Sequence, residues 1–328
     1  MAISDDELDR MEAAILDGMS EPGIDERIPD WTTADDLSRI GIEALFDADP
    51  LGRALASHGN IRIAGDGVSG SSAKVTEVAR VMAGFQRLAT AVGAAQAGDK
   101  ALGKKANVAV TRGTELLLTA APAPGSILLT LTPALAPTDE TGPAGMLDEF
   151  ETDDQMLDTA VAAAIDVFSA GNDIGPVPDK SSFVHQLGDM GPRTASAVRD
   201  FAKTLERAAF DIDIDWKQPS RTTRRVRVTA RAARHMAYVV EHANLDEQPV
   251  VIVGEYLTVS AVSAWVIQQD DGDAVTVKLG RIDPSQTRGL AVGERIRVQA
   301  IMKTETTAGG NTKTTYTAQS FERLAAPD

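Results

Sequence analysis

"IRIAGDGVSGSSAKVTEVARVM" (residues 61–82) sets the pattern G-x-G-x-x-G, at Gly65, Gly67 and Gly70, between a β-like run and a helix-like run. Two fold classes diverge on this stretch. A dinucleotide-binding βαβ unit needs a strand, a glycine turn that opens a helix, and an acidic residue about 20 positions on, at the end of a parallel second strand. Here the helical pattern is still running at that point, through "FQRLATAV" (85–92). Val75, Val78, Met82, Phe85, Leu88 and Val92 recur on one face of a helix predicted over 72–97. No G-K-[ST] follows, so a P-loop is excluded. The glycines read instead as residues that let the chain turn sharply, with Ser71 or Ser72 as the helix cap. No cofactor is expected.

The sequence on either side points the same way. A short strand is expected at 60–64. After the long helix come three apolar runs, "ANVAVTR" (106–112), "TELLLTAAP" (114–122) and "GSILLTLTPAL" (125–135), with short gaps holding Gly and Pro. Such gaps join hairpins, not crossovers, so the runs are expected to pair as an antiparallel meander. Helices follow at 155–170, ending at Gly171, and at 193–209. "FDIDIDW" (210–216) then alternates strictly, with Phe210, Ile212, Ile214 and Trp216 on one face and Asp211, Asp213 and Asp215 on the other. "RRVRVTA" (224–230) alternates as well, and a helix at 230–243 closes the segment. Helices on an antiparallel sheet make the fold class α+β.

From Val250 the pattern is all β, with strands expected at 250–260, 262–269, 274–280, 294–303 and 313–322. Asp271-Gly272 and Gly309-Gly310-Asn311 supply turns. The longest gap, "RIDPSQTRGLAVG" (281–293), falls between the third and fourth strands. That order suits a small five-stranded OB-like barrel, with an SH3-like barrel as the alternative.

At the other end, Ser4 and Glu7 form a capping box before Leu8, Met11, Ile15 and Met19, which share one helical face. Further helices are expected over 32–46 and 49–59, capped by Thr33 and Asp49. The resulting domain plan is an acidic helical arm (1–30), an α+β domain (31–246) and a small β-barrel domain (247–328). Charge is concentrated in the arm's neighbourhood. Residues 1–50 hold 15 acidic and 3 basic side chains, a net −12 out of the chain's −16.

Composition narrows the chemistry. With no cysteine there is no disulfide, no thiolate metal ligand and no cysteine nucleophile. No apolar run approaches the roughly 18 residues of a membrane helix, and the acidic start lacks a signal-peptide pattern, so a cytoplasmic protein with no membrane contact is expected. His58, His185, His235 and His242 form no metal-binding motif, and no G-x-S-x-G elbow occurs.

Two clusters of charge remain. Asp211, Asp213 and Asp215 offer oxygens to a hard cation, but alternate strand residues lie about 7 Å apart. A cross-strand ladder with Arg225 and Arg227 is the preferred reading of the three. Between Lys217 and Arg234 there are seven cations and no carboxylate. With Arg225 and Arg227 assigned to the ladder, Lys217, Arg221, Arg224, Arg231 and Arg234 are candidate phosphate contacts. Lys303 and Lys313, flanking the loop between the last two strands, join them. Trp265, Val259 and Ile267 share a strand face and are assigned to the barrel core, which leaves little for stacking bases.

The function expected from these residues is non-catalytic binding or assembly. The partner would be another protein or a second copy, with nucleic acid as a further candidate through the 217–234 segment and the barrel. One alternative is a metal-assisted enzyme acting on a phosphate-bearing ligand. The other is a purely structural oligomeric scaffold.

Overall fold

The computed structural model describes residues 56–103, 105–120, 127–137, 155–219, 221–306 and 312–325. The chain divides into two compact units, Met1–Arg53 and Ala54–Asp328. The expected arm and the helix at 32–46 therefore lie outside the described residues, as does most of the helix at 49–59 and the Gly309-Gly310-Asn311 turn. Where the description begins, His58 and Gly59 are already strand rather than the end of a helix.

Strand β1 (His58–Ala64) is the centre of a five-stranded antiparallel sheet. Its neighbours are β3 (Ile127–Pro133) on one side and β4 (Asp211–Lys217) on the other. β2 (Leu116–Ala120) and β5 (Arg224–Val228) form the edges, giving the order β2-β3-β1-β4-β5. No parallel neighbour of β1 exists in this sheet, which removes the structural premise of a dinucleotide fingerprint. Gly65 has φ +98° and Gly70 φ +63°. At Gly67 a Cβ would stand 2.0 Å from the Ala208 carbonyl oxygen, so the turn is pressed against the chain entering β4.

One face of the sheet is apolar. Ile61 and Ile63, Leu129 and Leu131, Ile212, Ile214 and Trp216, and Val228 are all buried there. The helices that cover this face present matching stripes: Phe85, Leu88 and Val92 from α1 (Val75–Gln96), Leu157, Val161 and Phe168 from α3 (Met156–Asn172), Phe201 and Leu205 from α5 (Pro192–Ala208), and Met236 and Val240 from α6 (Ala230–His242). Each such side chain removed from water contributes roughly 1.5–3 kcal/mol before entropy is counted. The other face carries polar residues, as the period-2 alternation of 210–216 requires.

Three expectations are corrected. Residues 106–112 are not a strand: Val108–Gly113 is a short helix, α2. The Asn107 side chain accepts a hydrogen bond from Ala109 N at 3.0 Å and so caps it. Val110 is buried while Val108 is 80% exposed, and Thr114 packs where Gly93 of α1 has no side chain. The meander is therefore β2–β3 alone, docked on β1. Neither Ser71 nor Ser72 caps α1, which starts at Val75 after Lys74 with no side-chain cap. Ser72 instead bonds back to Ser69 through both backbone groups, at 2.8 and 3.0 Å. A helix not expected from the sequence, α4 (Ser182–Met190), is capped by Ser181 Oγ and ends at Gly191, φ +83°.

The last five strands are β6 (Glu247–Thr258), β7 (Trp265–Gln269), β8 (Ala274–Lys278), β9 (Arg295–Thr306) and β10 (Thr312–Arg323). They close into a barrel, β10-β8-β7-β6-β9, in which every pair is antiparallel except β8–β10. Ile252, Tyr256, Trp265, Ile267, Val277, Ile296 and Val298 fill it. Trp265 meets Tyr256 and Phe321 edge-on, each with ring centroids 5.4 Å apart. Gly272, φ +99°, turns the β7–β8 hairpin. Among the described residues no helix is long and apolar enough to cross a membrane.

Candidate functional site

The 217–234 segment runs the whole length of an edge hairpin. Lys217, Arg221 and Arg224 gather at the β4–β5 turn, where Gln218, Arg221, Thr222, Thr223 and Arg224 line a hollow of about 520 Å³. Arg231 and Arg234 lie beyond the opposite end of β5, more than about 13 Å away at the rise of an extended chain. Several of these cations already have counter-ions. Arg224 Nη1 sits 2.8 and 2.9 Å from the two oxygens of Asp166, and Arg234 Nε is 2.6 Å from Glu206 Oε1. Arg231 is exposed and makes no ion pair among the described residues. The segment is thus two separate basic ends.

The aspartates of β4 are held by neighbours on the polar face of the sheet. Asp211 Oδ1 accepts from Ala230 N at 2.9 Å, so it caps α6. Arg227 lies across from Asp213, 3.6 Å from its Oδ1 and 3.7 Å from Asp211 Oδ2. Asp215 Oδ1 accepts from Asn60 Nδ2 at 3.1 Å. Arg225 stands opposite Asp215 in register. Among the described residues no group of three or more acidic or histidine side chains is placed to hold a metal ion.

On the barrel, strand parity separates the candidates from its open end. Lys303 and Lys313 are odd-numbered residues of β9 and β10 and face outward, while Val298, Ala300, Met302 and Thr304 continue the inward face. Lys303 borders a shallow groove of about 300 Å³ with Lys278, Glu247 and Glu305, and its Nζ lies 3.2 Å from Asp246 Oδ2. Lys313 stands opposite Glu305.

A more extensive concavity than either of these lies elsewhere. A cleft of about 850 Å³ opens where the end of the barrel meets the helical layer. One wall is α1, with Arg87, Thr90 and Ala91. A second is the segment from Ala101 to Glu115, with Lys105 and Arg112. Arg193, from the first turn of α5, completes this side of the lining. Thr304, Thr312 and Thr314 form the barrel side, and register pairs Thr304 with Thr314. Four cations and one carboxylate, Glu115, line this space. Lys105 and Arg112 form no ion pair among the described residues.

A buried ionic network holds two of the cleft's lining residues, Arg87 and Thr304. Arg199 and Asp246 are both fully buried and ion-paired. Arg199 also donates to Asp200 Oδ1, at 3.0 Å from Nε and 2.7 Å from Nη2, and its Nη2 donates to the Thr304 carbonyl at 2.6 Å. Arg87 is ion-paired with Asp200 and donates to Ser196 Oγ at 3.1 Å. Ser196 Oγ in turn donates to the same Thr304 carbonyl, at 2.8 Å. Burial works against ionisation of Asp200, but the guanidiniums of Arg199 and Arg87 outweigh it and hold the carboxyl below its ordinary pKa. Strand β9 is therefore tied directly to α5, and through Ser196 and Asp200 to α1.

None of the cleft's cations was among the sequence candidates. Lys104, Lys105 and Arg112 do form a local basic run without a carboxylate, which was legible. Arg87 and Arg193 join it only through the fold. Two of the barrel's aromatics are closed to a ligand, Trp265 at 0% and Tyr256 at 1% exposed, and burial pushes the Tyr256 hydroxyl's pKa up, while Tyr316 and Phe321 are partly buried. No protein family, curated protein or solved structure matches the chain.

Proposed function

We propose that this chain is a non-catalytic binding protein whose barrel is of the OB type and whose cleft takes the phosphate backbone of single-stranded nucleic acid. The cleft's lining carries the reading: four cations against one carboxylate, with Lys105 and Arg112 in no ion pair among the described residues. Strand order supports the barrel type, since the first strand pairs with the second and fourth and the third meets the fifth in parallel. OB-type barrels take ligands near the loop between their fourth and fifth strands, and the cleft borders the ends of β9 and β10 beside that loop. With no aromatic side chain in the cleft's lining, affinity would come from phosphates rather than stacking, so binding is weakly sequence-dependent and strongly salt-dependent.

The test is fluorescence anisotropy with a labelled single-stranded oligonucleotide across a salt series. Up to four contacts give a slope of log K against log salt of about −2 to −3. Lys105→Glu with Arg112→Glu should weaken binding at least tenfold. Arg221→Glu with Arg224→Glu and Arg231→Glu should have a smaller effect. No binding at low salt sinks the proposal, and loss confined to the second set moves the site to the β4–β5 hairpin.

Self-association is a second proposal, supported by edge strand β2, where Leu117 is 48% and Leu118 60% exposed. Exposed apolar edges favour pairing with another chain. Light scattering on the full-length protein and on Leu118→Lys tests it: a monomer for both refutes it. The metal-assisted alternative has less to stand on, because Asp211, Asp213 and Asp215 each have a structural partner.

A further inference from the structure

We infer that the cleft contains a built seat for one tetrahedral oxyanion, a phosphate group held between Thr304 and Arg193. This rests on the reading of the cleft given above and adds to it a defined anchor. Two observations carry it. Thr304 is 5% exposed, lines the cleft, and its hydroxyl has no hydrogen-bond partner. Arg193 lines the same cleft, and its Nε is likewise buried with no partner. Buried polar groups are nearly always paired, and two orphans bordering one cationic cleft call for a shared explanation.

The surroundings make the orphans donors in waiting. The Thr304 carbonyl is taken by Ser196 and Arg199, so the strand cannot shift to find the hydroxyl a new partner. One edge of the Arg193 guanidinium is held by Asp99, with Nη2 3.1 Å from its Oδ2, which orients the fork and leaves Nε uncommitted. An oxyanion that accepts from a threonine hydroxyl and an arginine Nε satisfies both groups at once. Lys105 and Arg112, both exposed, add positive charge to the same lining without adding fixed geometry. A tetrahedral anion fits donors that come from separate walls better than a planar carboxylate does. Phosphate supplies both that shape and a charge of up to −2, which Lys105 and Arg112, in no ion pair among the described residues, can meet.

The probe is inorganic phosphate, titrated into the full-length protein at constant ionic strength with chloride as the control, and followed by calorimetry and thermal shift. Wild type should show saturable phosphate binding that chloride does not reproduce. Thr304→Val keeps the side-chain shape and deletes the hydroxyl. It should weaken phosphate binding at least fivefold while the melting temperature without phosphate stays the same or rises, because an unpaired buried group has been removed. Arg193→Gln should weaken binding further. Phosphate binding equal to chloride, or binding that Thr304→Val and Arg193→Gln both leave unchanged, overturns the proposal.

Oligonucleotides separate the sources of the phosphate. If 10-mers with and without a 5′-phosphate bind equally and inorganic phosphate displaces both, the seat holds a backbone diester. A clear preference for the 5′-phosphorylated strand assigns a terminal monoester. If phosphate binds saturably and no oligonucleotide does, the seat stands and serves a small phosphate-bearing molecule, while the nucleic-acid reading falls.

Discussion

Replacing Asp246 with asparagine should be among the most damaging single changes in the described part of this chain. Asp246 is fully buried between Arg199, also fully buried, and Lys303, 3.2 Å away. The amide keeps the volume and removes the charge, leaving a buried guanidinium short of one counter-ion. Breaking a buried pair in this way costs about 3–5 kcal/mol. Arg199 retains Asp200 and the Thr304 carbonyl, so the lower end, about 3 kcal/mol, is expected here. For a unit of this size each kcal/mol moves the melting temperature by roughly 2–4 °C, so Asp246→Asn should lower it by about 6–12 °C. The assay is urea and thermal unfolding followed by far-UV circular dichroism. The sharper test is the pair Arg199→Met and Asp246→Leu, singly and together. Removing both charges leaves no unpaired ion, so the double variant should be at least about 1.5 kcal/mol more stable than the sum of the single effects predicts. Strict additivity, or an Asp246→Asn cost below about 1 kcal/mol, would show that the network does not join barrel to helices as argued.

Other outcomes follow from single contacts. Gly67→Ala drives a Cβ into the Ala208 carbonyl and should cost more than about 2 kcal/mol, whereas Gly70→Ala, with open space but φ +63°, should cost about 1 kcal/mol; equal urea midpoints would contradict this. Trp216→Phe removes the indole N–H that donates to buried Asp158 Oδ1 at 2.7 Å, leaving that carboxylate the Ser57 hydroxyl among its donors, and should destabilise by about 1.5–3 kcal/mol in the same assay. Because the Asp200 pKa is depressed in the folded state, its contribution is complete above the ordinary aspartate value of about 4 and is lost as pH falls through the lower, folded value. Asp200→Asn should therefore flatten the acid limb of a stability-versus-pH curve below about pH 4, and an unchanged limb would refute the assignment.

Much of the fold was legible where one physical signal dominates. Strict alternation at 210–216 placed Ile212, Ile214 and Trp216 inside because a strand has period 2, and charge placed Arg225 and Arg227 across from the aspartates, the pairing of Asp213 with Arg227 being fixed only by the fold. "ANVAVTR" shows the limit of the same signal. Val108 and Val110 alternate as they would on one face of a strand, whereas the short helix sets them on opposite sides, Val110 inward and Val108 outward, and the Asn107 cap is the local sequence sign of that choice. Helix α4 was readable in retrospect from Ser181, the i, i+4 pair Phe183 and Leu187, and Gly191-Pro192, but nine residues give too little periodicity to stand out. The candidate site was less legible than the fold. A run of cations such as 217–234 is visible as a run, yet a hairpin spreads it along its full length. The cleft draws Arg87, Lys105, Arg112 and Arg193 from three segments, and only tertiary packing brings them together.

The position of β1 in the middle of its sheet sets a timetable for the chain. β1 and β3 can pair once Pro133 has been made, but the other flank of β1 waits for β4, which is complete only at Lys217. At synthesis rates of about 5–20 residues per second, roughly 84 residues correspond to about 4–17 s. Throughout that interval a half-built sheet carries Ile61 and Ile63 beside an open strand edge, with α5 made only towards its end and α6 not until after it. A nascent chain paused between these points presents both ingredients of aggregation at once, so the rate of elongation through residues 134–217 is a property on which the yield of folded protein depends.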